Sequence, residues 1–109
     1  MTTPTAFRFP APSGRIAELT EDQYAALVGD GGLSRSMLLR IAGAAVLLAH
    51  MSEEKPRTLR QIAAAVHGVD EIAPTNMEHR AMVALVAAGL VLRVGSSNQT
   101  RYLRVGETR

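Results

Sequence analysis

The sequence predicts a mainly α-helical domain that ends in a small β-hairpin, an α+β fold. Three observations predict it. Thr20, Thr58 and Thr75 are followed three residues later by Gln23, Gln61 and Glu78, the signature of a reciprocally hydrogen-bonded helix start. Apolar residues recur at helical spacing after Thr58, in Leu59, Ile62, Ala63 and Val66. Past Gly89, two runs rich in β-branched and apolar residues, Leu90 to Val94 and Thr100 to Val105, flank the turn-forming segment Gly95-Ser96-Ser97-Asn98-Gln99.

A chain of 109 residues is one domain with a modest core. It has no cysteine, which excludes disulfides and thiolate chemistry. The first ten residues contain Pro4, Arg8 and Pro10 and lack the apolar centre of a secretory signal. The most apolar run, Ile41 to Ala49, is about half of the roughly 20 residues that a membrane span needs. No membrane partner and a cytoplasmic location are therefore expected. Net charge is only +2, but residues 1–56 carry five basic and six acidic side chains, whereas residues 57–109 carry seven and four. The positive excess sits in the second half, as phosphate binding favours.

Residues 1–15, with Pro4, Pro10, Pro12 and Gly14, read as an extended or flexible arm. Phe7 and Phe9 are the residues that would pin it to the domain, and Arg8 and Arg15 those that would reach a DNA backbone. The domain proper is expected over residues 16–105, with a tail at 106–109. Thr20 and Gln23 start a short helix that stops near Gly29, with Leu19 and Tyr24 placed to form a hydrophobic staple.

A second helix, about Leu33 to Ser52, is apolar nearly all round and must be buried from more than one side. Its face Leu38, Ile41, Ala45 and Leu48 is a candidate dimerisation surface, and burial inside its own domain is the alternative. The third helix runs from Thr58 to Gly68. The linker from Gly68 to Pro74 is long for a tight helix-turn-helix, with room for an extra turn or a short strand. The fourth helix spans Asn76 to Ala88. Its wheel puts Met77, Ala81, Ala84, Leu85 and Ala88 on one face and Asn76, His79, Arg80, Val83 and Ala87 on the other.

The run Ala84-Leu85-Val86-Ala87-Ala88-Gly89-Leu90-Val91 resembles the end of the recognition helix and the entry to the wing in MarR-like winged helix-turn-helix regulators. Leu59-Arg60-Gln61-Ile62-Ala63-Ala64-Ala65-Val66 is similar to the first motif helix of that family. The resemblance covers residues 33–105 approximately. It implies a dimeric, sequence-specific regulator of transcription whose partner is double-stranded DNA. The fourth helix would enter the major groove, and Asn76, His79, Arg80 and Val83 would read bases. Arg57, Arg60, Thr75, Arg93, Asn98, Gln99 and Arg101 would lie on the DNA backbone, those of the wing beside it or in the minor groove.

A plainer role stands beside each assignment: Glu78 as a cap, His79 as a solvated surface residue, and Arg93, Arg101 and Arg104 as the outer side of a hairpin. Val83 and Ala87 are apolar for a DNA-facing surface. They open the alternative of a protein–protein interaction module that binds a host complex without specific DNA binding. His50, His67 and His79 have no ligand spacing, and Gly29, Gly31 and Gly32 lack the strand, lysine and hydroxyl of a phosphate loop. The expectation is a protein that is not an enzyme and uses no cofactor or metal.

Overall fold

The computed structural model describes residues 5–29, 34–95 and 100–106. The element order is β1 (Thr5–Pro10), β2 (Ile16–Thr20), α1 (Glu21–Val28), α2 (Arg35–Ala49), α3 (Leu59–His67), α4 (Asn76–Ala87), β3 (Val91–Val94) and β4 (Arg101–Arg104). The fold is mixed, with four helices and two antiparallel hairpins among the described residues. None of these helices is long and apolar enough to cross a membrane.

All three capping boxes form. Thr20, Thr58 and Thr75 each accept from the backbone N–H three residues on, and Gln23, Gln61 and Glu78 accept from the cap N–H in return. Ser34 caps α2 in the simpler way, accepting from the Met37 N–H. At the far end of α2, the Arg15 guanidinium donates to the Ala49 carbonyl at 2.8 Å and Arg104 donates to Leu48 at 3.1 Å. These bonds satisfy carbonyls that the helix itself leaves free, and α2 stops at Ala49. Between α3 and α4, residues 71–75 form neither helix nor strand.

The N-terminal segment is where the structure departs most from the sequence reading. From Thr5 onward it is no separate arm. β1 pairs antiparallel with β2, matching Phe7 to Leu19, Arg8 to Glu18 and Phe9 to Ala17. Leu19 and Ala17 are fully buried, and Tyr24 stacks on Phe7 with ring centroids 3.9 Å apart. The hairpin is also tied to the end of α2. His50 Nδ1–H donates to the Val46 carbonyl at 2.8 Å, which leaves Nε2 to accept from the Ser13 hydroxyl at 2.7 Å.

The core forms around α2, whose Ile41, Ala44, Ala45, Leu47 and Leu48 are all buried. Against them lie Ile62 and Val66 of α3, Ala81, Met82 and Leu85 of α4, and Val91 of β3. This corrects the dimerisation assignment: Ile41, Ala45 and Leu48 are covered by the chain itself, and only Leu38 of the four is exposed. Met77, expected on the inner face of α4, is also exposed, and Met82 occupies the core in its place. The second hairpin pairs Val91 with Arg104, Leu92 with Leu103, Arg93 with Tyr102 and Val94 with Arg101. Arg57 adds a bridge to the outer side of β4, its backbone N–H and carbonyl bonded to Tyr102 at 3.2 and 2.8 Å.

Candidate nucleic-acid interface

The site is built on α4, and three local features hold it. Thr75 fixes its start, Gly89 turns the chain away at its end with φ +78°, and Ala81, Met82 and Leu85 anchor its inner side. Gly43 of α2 faces Ala81, so the two helices meet there without a side chain on the α2 side. The opposite side of α4 presents Asn76, His79, Arg80, Val83 and Ala87, all exposed, with Val83 at 68%.

Glu78 is the acidic residue of α4, and it is turned off this outward face. Its Oε1 accepts from the Thr75 N–H at 2.9 Å and from the Thr75 hydroxyl at 3.1 Å. Its Oε2 accepts from His67 Nε2 at 3.2 Å. The carboxylate therefore caps α4 and ties it to the last turn of α3. With it engaged there, the outward face carries amide, imidazole, guanidinium and alkyl groups and no anion.

Concave surfaces flank this face on both sides of Val83. A groove of about 690 Å³ runs between α4 and the end of α1, lined by Ala26, Leu27, Arg40, His79, Arg80, Val83 and small residues. A smaller recess of about 250 Å³ separates Val83, Val86 and Ala87 from Arg93 and Tyr102 of the β3–β4 hairpin. Arg40 and Arg93 thus border the α4 face from opposite sides. Arg40 was not among the sequence candidates. Its signal is its position one turn before Gly43, on the stripe of α2 that turns toward α4.

The other candidates fall elsewhere. Lys55, Arg57, Gln61 and Arg101 line a separate polar depression of about 480 Å³ beside α3. Arg93 pairs with Tyr102 and Arg101 with Val94, so strand alternation puts the two arginines on opposite faces of the hairpin. Arg60 lies 3.6 Å from Glu71 in an exposed ion pair. Thr75 is exposed at the α4 cap, its hydroxyl committed to Glu78. Asn98 and Gln99 lie outside the described residues. Arg8 meets Glu18 at 3.5 Å, and Arg15 is spent on α2. Among the described residues, no group of three or more histidines and carboxylates is placed to hold a metal ion.

Compared with family models, curated proteins and solved structures, the chain finds no match.

Proposed function

We propose that this protein is a winged helix-turn-helix transcriptional regulator that binds duplex DNA through the outward face of α4. One observation carries the reading: Asn76, His79, Arg80 and Val83 share an exposed face from which the helix's acidic residue is withdrawn. An anion there would repel the phosphates that line a major groove, whereas these groups match base edges and backbone oxygens. In this reading Asn76 and Arg80 read bases, His79 meets base or phosphate, and Val83 meets a thymine methyl. Arg93 and Arg40 contact the backbone on either side.

The helix order supports the same reading, because α2, α3 and α4 are followed by a hairpin whose arginine flanks α4. A dimer would carry two such faces to a roughly palindromic site. The apolar surface available for it includes Leu38 and Leu39 at the start of α2.

The test separates readers from anchors. Arg80→Ala should relax discrimination at one base position by about 1–3 kcal/mol. Arg93→Ala should weaken all duplexes alike and flatten the salt slope by about one unit. Arg101→Ala, on the other face of the hairpin, should do less than Arg93→Ala. Equal affinities and slopes for wild type, Arg80→Ala and Arg93→Ala would refute the assignment.

A further inference from the structure

We infer that the groove between α1 and α4 is a docking site for an acidic amphipathic helix of a partner protein. The inference goes beyond the DNA reading and does not depend on it. The floor is apolar and shallow-branched: Ala26, Leu27, Val83, Ala84, Ala87 and Ala88 contribute no side-chain donor or acceptor. Such a surface offers no hydrogen bond or charge to phosphates, and of these residues only Val83 is assigned a base contact, through its methyl groups. It suits aliphatic side chains, and its alanines let a partner's backbone come close.

The occupant's form follows from the walls. The described walls come from α1 with its cap Gly29, from α2 and from α4, with no strand edge among the described lining residues. An extended peptide would find no main-chain partners there, whereas a helix brings its own satisfied backbone.

The occupant's charge follows from the rim. Among the described lining residues the ionisable ones are Arg40, Arg80 and His79, and none of these is acidic. Among the described residues, neither guanidinium has an ion-pair or hydrogen-bond partner. Glutamates or aspartates flanking an apolar stripe at i, i+3, i+4 and i+7 would pair with them. Such a helix would cover His79, Arg80 and Val83, so it would exclude anything else bound to the outward face of α4.

Two synthetic helical peptides of about 18 residues test this directly. Both carry the same leucine stripe; one has glutamates beside it and the other lysines. Each is titrated into the isotope-labelled full chain without DNA, so a failure of duplex binding would leave this result independent. The glutamate peptide should bind about tenfold tighter than the lysine peptide at low salt. It should shift the amides of Ala26, Val83, Ala87 and Ala88, and Val83→Glu should abolish binding with the helical signal unchanged. Arg40→Ala should narrow the difference between the peptides. Equal binding of both, binding of neither, or shifts mapping away from the groove would overturn the inference. So would groove shifts produced by a short duplex and not by the glutamate peptide, since the groove would then belong to the nucleic-acid surface.

Discussion

Gly43→Ala decides how closely α2 and α4 are packed, and with it the position of the α4 face. Glycine inside a helix costs about 0.8–1.0 kcal/mol relative to alanine. An added Cβ at residue 43 would meet Ala81 Cβ at 3.6 Å and, among the described residues beyond its own stretch of helix, no other heavy atom within 4 Å. That distance is ordinary van der Waals contact, so the methyl fits without moving α4. The substitution should therefore stabilise the protein by about 0.5–1 kcal/mol. At about 4–8 °C per kcal/mol for a domain near this size, the midpoint of thermal unfolding should rise by roughly 2–8 °C. Urea unfolding followed by circular dichroism should show the same gain with an unchanged slope. Gly43→Leu should lose about 1–3 kcal/mol, because the atoms beyond Cβ run into α4. A loss of stability in Gly43→Ala would refute the reasoning, since the helices would then be closer than 3.6 Å allows.

Two further predictions concern the parts that hold the site. Leu85 is fully buried on the inner side of α4, so Leu85→Ala should cost about 2–5 kcal/mol in urea unfolding; a loss under about 1 kcal/mol would mean that α4 does not pack by this face. Ser13→Ala removes the hydroxyl that donates to His50, at an expected cost of about 0.5–1.5 kcal/mol. Amide exchange in β1 and β2 should then quicken while α3 and α4 keep their protection; unchanged exchange in the hairpin would show that this bond does not hold it.

The helices and the second hairpin were legible because their signals are local. A threonine cap and its partner lie three residues apart, and the two apolar, β-branched runs that became β3 and β4 are separated by glycine, serine and asparagine in the sequence. β1 was obscured by Pro10 within it and by Pro4 and Pro12 on either side, which read as breakers. Pro10 instead closes a strand, a position that needs few ladder bonds from it. The period-two signal was present in Phe7 and Phe9 and again in Ala17 and Leu19, but each run is too short to stand out from an irregular segment.

Faces proved harder to read than elements. α2 is apolar on most sides, so its wheel did not say which stripe meets α4 and which lies under the first hairpin. In the structure Gly43 lies at the contact with α4, and Arg40, one turn earlier on the same stripe, was absent from the sequence candidates. On α4 the outward set of Asn76, His79, Arg80, Val83 and Ala87 is exposed as read, while Met77 is exposed against expectation and Met82, assigned to neither face, is buried. Arg93 and Arg101 were assigned together, and it is the register between β3 and β4 that puts them on opposite faces. Which of them lies beside α4 depends on the docking of the hairpin, which is a long-range packing outcome.

The central claim is that the outward face of α4 reads DNA sequence. Selection from a random duplex pool tests it most directly, with anisotropy titration at low and near-physiological salt and sequencing of the bound fraction. The account predicts enrichment of a roughly palindromic sequence and binding that weakens as salt rises. Absence of binding even at low salt, or weak binding with no enriched sequence, would contradict it.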